Sequence, residues 1–224
     1  MSGLCVLIPS YNAEGTLKGV LEGVKRSHLD IIVVDDGSTD STARIAWETG
    51  VTLIRHSENR GKGRALRTGF TYVMEHGYEA VITLDADGQH DAAEIPQFVE
   101  LYRKENADII IGSRAAQFNE MDWPRRFWNR LGARAVSRLT GTLVSDSQSG
   151  YRLIRTEVLR DVELITATYE TEMELLIRAC KKGYRVVNMS IIGHAISDTT
   201  TSHFRPVVDT FKICMLYLRS LLWK

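Results

Sequence analysis

VITLDADGQHD, residues 81–91, joins a short apolar run to two carboxylates one residue apart. Val81 to Leu84 reads as a strand buried on both faces; Asp85 and Asp87 follow at once, flanking Ala86. Alternate residues of an extended segment point the same way, so two carboxylates at this spacing can share one hard cation or divide between a cation and a ribose. A D-x-D is a weak signal alone, since with 13 Asp in the chain roughly one arises by chance. Position gives it weight, because ligands of open α/β sheets bind beyond the carboxyl ends of the strands. Gly88 and the oxygen-bearing Gln89 continue the turn.

The same arrangement repeats on either side. Leu4 to Ile8, Ile31 to Val34, Val51 to Ile54 and Ile109 to Ile111 are further short apolar runs. Between them, Thr16 to Ser27, Thr42 to Glu48, Gly63 to His76 and Ala92 to Lys104 have helical period. That order predicts an α/β fold, with a mostly parallel central sheet flanked by helices and right-handed crossovers. Each strand runs into a polar turn: PSYNAEG, DDGSTDST, HSENRGKG, DADGQHD and GSR. After Gly112 the alternation stops. An Arg-rich helix, the turn SDSQSGYR, a helix from about Tyr169 to Lys182, a strand from Arg185 to Ile192, a polar loop and a final helix from Pro206 complete the chain.

Of Asp35 and Asp36, one forms the turn into the next helix and the other faces the crevice, where it can accept from a base N–H or ribose hydroxyls. NRGKGRALRTG fails the Walker pattern, yet Arg60 and Lys62 beside a helix N-terminus can meet a diphosphate or simply lie in a surface turn. The first turn lacks the G-x-G-x-x-G of a dinucleotide site. It also lacks the Gly-rich, Lys/Arg-bearing loop that a sugar-nucleotide pyrophosphorylase needs there.

The 224 residues carry 28 Lys plus Arg against 28 Asp plus Glu and are 44% hydrophobic. That is ordinary globular composition, without the cationic excess of a nucleic-acid binder. Cys5, Cys180 and Cys214 are too widely spaced for a disulfide framework or a zinc knuckle, which fits a reducing compartment. Cys5 and Cys180 read as buried structural residues. The opening MSGLCVLIPSYN has no basic n-region, and no apolar segment is long enough to span a membrane. Charge is nevertheless unevenly placed. Five Arg and no acid occur between residues 123 and 138. Arg126, Arg130, Arg134 and Arg138 form one stripe, beside an apolar stripe of Trp123, Phe127, Leu131, Ala135 and Leu139. Such a helix either packs on a core with a solvated basic face or lies in a membrane interface with its cations toward lipid phosphates; the interfacial reading is favoured here. The final helix carries Phe211, Met215, Leu218 and Leu222 at helical spacing. It can close the core, lie on lipid, or dock an integral-membrane partner or a second copy.

Taken in order, PSYNAEG, VVDDGSTD, NRGKGRA, DADGQH, GSR, DSQSGYR and YETEMELLIRACKKGYRV resemble family 2 glycosyltransferases, in pattern the polyprenyl-phosphate sugar transferases of the dolichyl-phosphate mannosyltransferase type. The resemblance spans about residues 4–205. It implies a glycosyltransferase A-type fold, a UDP- or GDP-sugar donor, Mg²⁺ or Mn²⁺, and inversion at the anomeric carbon. Carried over by position, Pro9, Tyr11, Val34 and Asp36 match the nucleoside pocket, and Asp85, Ala86, Asp87 and Gln89 the metal and diphosphate turn. Arg114 matches a phosphate-contacting cation. Ser149, Gly150, Tyr151 and Arg152 match the acceptor-side turn, and Glu174 or Glu172 the acidic position of the next helix. The chain departs from the family's P-x-Y-N-E at Ala13, with its acid at Glu14, and leaves late-loop cationic roles to His203 or Arg205.

The implied organisation is a single catalytic domain over 1–224: a nucleotide-sugar and metal half (1–114), an acceptor half (115–205) and an amphipathic helix (206–224). Asp87 with a cation, Arg114 and Lys62 would stabilise charge on a departing diphosphate. A phosphate acceptor, with Arg126 and Arg130 to position it, is already anionic. A saccharide or protein hydroxyl would need Glu172, Glu174 or Asp146 as base. The expectation is a polyprenyl-phosphate acceptor at the cytoplasmic face of a membrane, the enzyme peripheral to it; the alternatives are a hydroxyl acceptor and a non-catalytic nucleotide-binding module.

Overall fold

The computed structural model describes residues 3–120, 123–168, 170–192 and 215–221. Seven strands form one sheet in the order β3-β2-β1-β4-β6-β5-β7. They are β1 (Leu4–Ser10), β2 (Asp30–Asp35), β3 (Thr52–Arg55), β4 (Ala80–Thr83), β5 (Ile109–Ser113), β6 (Arg152–Arg155) and β7 (Val186–Ser190). All neighbours pair in parallel except β6, which runs antiparallel to both β4 and β5. The helices are α1 (Leu17–Lys25), α2 (Thr42–Glu48), α3 (Lys62–Glu75), α4 (Ile95–Glu105), α5 (Trp123–Thr140), α6 (Thr156–Asp161) and α7 (Glu170–Lys181). Residues 215–220 are also helical.

The continuous Val/Ile/Leu runs become the strands with both faces covered. Along β1, Cys5 and Leu7 enter one core with Phe70 of α3 and Leu176 of α7. Leu4, Val6 and Ile8 enter the other with Leu17 and Leu21 of α1 and Phe98 of α4. This is the two-residue alternation of a strand between two helical layers. In α1, Leu17, Val20, Leu21 and Val24 recur at helical spacing and are the buried positions. β3, expected to be buried on both faces, is an edge strand with Thr52 and Arg55 exposed.

The strand β6 was not expected from the sequence, whose SDSQSGYR turn reaches only its first residue, Arg152. Its register sets Thr83 of β4 beside Arg152. Because β6 runs the opposite way, the turn that leads into it lies at the carboxyl end of β4. Thr83 Oγ1 donates to the Gly150 carbonyl at 2.7 Å, locking the two together. The segment Ser149–Gly150–Tyr151 thereby joins the edge where the other strand-end turns converge.

Candidate active site

The carboxyl ends of β1, β2 and β4 and the start of β6 meet at one edge of the sheet, the place of the expected crevice. Pro9 and Val34 are register partners on β1 and β2. Pro9 lies beyond the last β1–β4 pair, Leu7 with Thr83, so it interrupts no bond of that ladder. The two turns above are laced together: Asn12 N donates to Ser38 Oγ at 2.9 Å, Thr39 N to Asn12 Oδ1 at 2.9 Å and Ala13 N to Thr42 Oγ1 at 2.7 Å. Glu14 accepts from Ser41 N at 3.0 Å, so its carboxylate braces the start of α2. Tyr11 stands half-buried beside this lattice.

Asp35 and Asp36 are both buried and both organise turns. Asp35 accepts from Ser38 N at 3.2 Å and pairs with Arg55 at 3.0 Å. Asp36 accepts the Arg60 and Gly61 backbone N–H groups at 3.0 and 2.7 Å and meets His56 Nδ1 at 2.6 Å. His56 Nε2 in turn lies 2.9 Å from Thr68 Oγ1 on α3. An Asp–His–Thr chain thus fixes the NRGK turn and, with it, Lys62 as the first residue of α3.

Lys62 is the hub of the site. Its Nζ lies 2.7 Å from Asp85 Oδ1 and 3.1 Å from Glu172 Oε2, with all three side chains largely shielded. The starts of α3 and α7 come together only because residue 63 is Gly: a Cβ there would sit 1.9 Å from Thr171 Oγ1. Asp85 is wedged similarly, since a Cβ on Gly150 would lie 2.6 Å from its Oδ2. The Ala86 carbonyl is held by Thr16 Oγ1 at 2.6 Å, and Asp87 Oδ1 accepts from Gln89 N at 2.9 Å.

The electrostatics follow from this crowding. Burial disfavours the Asp85 carboxylate, but Lys62, with His90 and Arg114 adding to it, holds the group below its ordinary value. Burial, then the Asp85 charge, push Asp87 up. Burial also raises Glu172, with Lys62 opposing. Lys62 is itself held above its ordinary value by Asp85 and Glu172 despite burial. His90 is buried with its Nδ1 unpartnered, 5.2 Å ring to ring from Tyr151. Desolvation lowers it to about 4, against the pull of Asp85, so its ring is neutral at pH 7.

The structure separates the expected site residues into two groups. Asp85, Ala86, Asp87, Gln89, Lys62 and Glu172 come together. Glu174, the first choice on α7, is fully buried and turned away. It accepts from Ile165 N, Thr166 N and Thr166 Oγ1 at 3.1, 2.9 and 2.7 Å and pairs with Arg178 at 2.8 Å. Positions two apart on a helix differ by about 200°, so Glu172 and Glu174 cannot both face the crevice. Asp146 is not placed as a base. Its oxygens bind Arg114 Nε at 2.9 Å, Arg114 N at 3.2 Å and Gln148 N at 3.1 Å, fixing the guanidinium after β5. Arg152, expected to contact the acceptor, is only 1% exposed. Its guanidinium donates to the carbonyls of Ser149, Glu172 and Ser147 at 2.8, 2.6 and 2.9 Å, tying the acceptor-side turn to α7. Ser149 is buried and its Oγ accepts from Tyr151 N at 3.3 Å. His203 and Arg205 lie outside the described residues, as does most of the final helix. Sequence reasoning singled out neither His56 nor His90. Adjacency to Gln89 was the one signal for His90, and His56 had none.

Asp85 and Asp87 supply the hard oxygen donors that Mg²⁺ or Mn²⁺ prefers. Among the described residues no group of three His, Cys, Asp or Glu encloses a metal. A cation held by these two carboxylates would need ligand phosphates and water to complete its coordination. Lys62 pairs with two carboxylates, Asp85 and Glu172, while Asp87 beside them has no ion pair with it.

Beyond the crevice, α5 buries Ala133 and Val136 and packs Leu139 on the core, while the start of its apolar stripe and most of its Arg stripe stay open. Arg130, Arg134 and Arg138 are exposed, as are Trp123, Phe127 and Leu131, with the Trp123 and Phe127 rings stacked at 5.6 Å; Arg126 is half-buried. An open groove of about 790 Å³ runs from Arg130, Arg134 and Arg138 to Ala115 and Ser145, the chain neighbours of Arg114 and Asp146. No helix among the described residues is long and apolar enough to cross a membrane.

The profile described as "Glycosyl transferase family 2" matches residues 5–163. The chain belongs to that family. An undecaprenyl-phosphate mannosyltransferase of Micrococcus luteus is 30% identical over 198 residues, covering 83% of this chain and 81% of the relative. A UDP-N-acetylglucosamine–dolichyl-phosphate N-acetylglucosaminyltransferase of Methanococcus voltae is 31% identical over 210 residues, covering 83% of each. Among solved structures, glucosyl-3-phosphoglycerate synthase from Mycobacterium tuberculosis, crystallised with Mn²⁺ and UDP-glucose, superposes with a TM-score of 0.71 at 20% identity, covering 97% of this chain and 78% of that one. This glycosyl transferase family 2 chain thus has the glycosyltransferase A-type fold expected from its strand-end motifs.

Proposed function

We propose that this family 2 glycosyltransferase moves a sugar from a UDP- or GDP-sugar to a polyprenyl phosphate, inverting the anomeric carbon, as a peripheral protein on the cytoplasmic face of a membrane. Residues 1–114 would serve as its donor half and 115–205 as its acceptor half, with 206–224 available to lipid, an integral-membrane partner or a second copy. The observation that carries the reading is the groove between α5 and residues 115 and 145, lined by Arg130, Arg134 and Arg138 and reaching Ala115 and Ser145, the chain neighbours of Arg114 and Asp146. The names of the two relatives support the same acceptor class.

The nucleoside rests on Pro9, Val34 and Tyr11, with Asp36 holding the turn around it. Asp85 and Asp87 would hold Mg²⁺ or Mn²⁺ against the diphosphate, and the ion would supply charge stabilisation on the leaving group. Arg114, oriented by Asp146, and Lys62 present donors toward the same oxygens as negative charge grows there. A hydroxyl acceptor would call on Glu172, Glu174 or Asp146 for proton removal. The last two are committed to other partners and Glu172 is paired with Lys62. A phosphate acceptor needs no base, only the cations of α5 to position it.

Calorimetric titration of UDP and GDP, with and without Mn²⁺, tests the donor part. One nucleotide should bind in a Mn²⁺-dependent manner and Asp87→Ala should abolish that dependence. Binding that is absent, or indifferent to both the ion and the substitution, overturns it and favours a non-catalytic module.

A further inference from the structure

We infer that Lys62 is the resident cation of the donor-free site, and that it gives up Asp85 to a divalent ion while keeping Glu172. The inference rests on the cation reading above. Its basis is one shared atom: Asp85 Oδ1 is engaged by Lys62 Nζ at 2.7 Å, and Asp85 is one of the two carboxylates that would hold the ion. Asp85 cannot turn freely to serve both, because its carboxyl is wedged against Gly150, where a Cβ would lie 2.6 Å from Oδ2. The Lys62 backbone cannot withdraw either, since neighbouring Gly63 is packed on Thr171 and the Ala167 carbonyl carbon. What can move is the flexible four-carbon side chain. Glu172 Oε2, already 3.1 Å from Nζ, gives the ammonium a place to stay.

Two like charges cannot share one oxygen in a shielded site without strong repulsion. Lys62 and the divalent ion therefore oppose each other when the donor is absent. A diphosphate reverses the sign of that coupling, because its oxygens accept the displaced ammonium and complete the ion's coordination. The protein then binds ion and nucleotide together in preference to either alone.

The test uses the full chain and Mn²⁺ as probe, following free Mn²⁺ by electron paramagnetic resonance. Without nucleotide, Lys62→Met should bind Mn²⁺ at least tenfold more tightly than wild type. Adding UDP or GDP should tighten Mn²⁺ binding by a larger factor in wild type than in the variant. In parallel, site-resolved acetylation of wild-type Lys62 by mass spectrometry should accelerate severalfold when Mn²⁺ alone is added; this arm decides the matter if Lys62→Met does not fold. Equal or weaker Mn²⁺ binding by folded Lys62→Met, or acetylation indifferent to Mn²⁺, overturns the inference while nucleotide-dependent Mn²⁺ binding leaves the donor reading standing. Failure of both proteins to bind Mn²⁺ even with nucleotide overturns both.

Discussion

Replacing Arg152 by Met should unfold the acceptor-side turn more than it alters any contact with substrate. The guanidinium serves three backbone carbonyls, those of Ser147, Ser149 and Glu172, in an interior only 1% exposed at that residue. A buried acceptor left without its donor costs about 1–3 kcal/mol. Removing a buried charge also removes its desolvation penalty, so the low end of that range is appropriate. Summed over the three carbonyls, Arg152→Met should destabilise by about 3 kcal/mol, a large part of the roughly 5–15 kcal/mol by which a native protein is stable. For a chain of this size that is a fall in Tm of about 6–12 °C. Arg152→Lys should fall between, because one ammonium cannot reach carbonyls spread from residue 147 to residue 172. Thermal and urea unfolding followed by circular dichroism would read these shifts, with transfer measured per folded molecule. An Arg152→Met protein as stable as wild type but unable to transfer would refute the reasoning, showing that the guanidinium faces the acceptor after all.

The two α7 carboxylates should respond oppositely. Glu172→Gln should lower transfer more than tenfold with a small change in Tm, since it removes one of two anchors of Lys62. Glu174→Gln should lower stability by about 1–3 kcal/mol, because an amide cannot accept at both ends, and leave transfer per folded molecule nearly intact; the reverse pattern would mean the helix is phased differently. His56→Ala should weaken nucleotide binding about tenfold, equivalent to about 1.4 kcal/mol, by releasing Asp36 from the NRGK turn. A lowered Tm with unchanged nucleotide affinity, measured by calorimetry, would leave His56 a purely structural residue. For Asp40, burial pushes its carboxyl upward but is outweighed by the Thr42 hydroxyl and the Thr42 and Glu14 N–H groups, so it sits below the ordinary 3.8. The stability linked to it is present above pH 3.8 and lost as pH falls through the lower folded value. Asp40→Asn should therefore flatten the acid limb of a stability-against-pH curve, and an unchanged limb would contradict this.

What could be read from the linear chain was whatever depends on local pattern. β1, β2, β4 and β5 are continuous apolar runs, and each delivers its polar turn to the same edge, so the placement of Asp85 and Asp87 followed from the strand-end rule. β6 escaped because RLIR offers only Leu153 and Ile154 between two Arg, inside a polar stretch. What makes Arg152 a core residue is a set of carbonyls that no periodicity displays. Helix phase hid the choice between Glu172 and Glu174: both positions are acidic, and only the packing of Gly63 on Thr171 decides which faces Lys62. The Asp36–His56–Thr68 chain links positions 20 and 12 residues apart. Side chains so separated meet only once β2, β3 and α3 are folded together.

The most direct test of the account is product analysis. The chain is incubated with a panel of UDP- and GDP-sugars, Mn²⁺, and a short polyprenyl phosphate in detergent, with a saccharide mixture and a free polyprenol as competing hydroxyl acceptors. Mass spectrometry and nuclear magnetic resonance should show one sugar linked through its inverted anomeric carbon to the polyprenyl phosphate, with the hydroxyl acceptors untouched. Transfer to a hydroxyl acceptor in place of the phosphate, retention of anomeric configuration, or no transfer from any donor would contradict it.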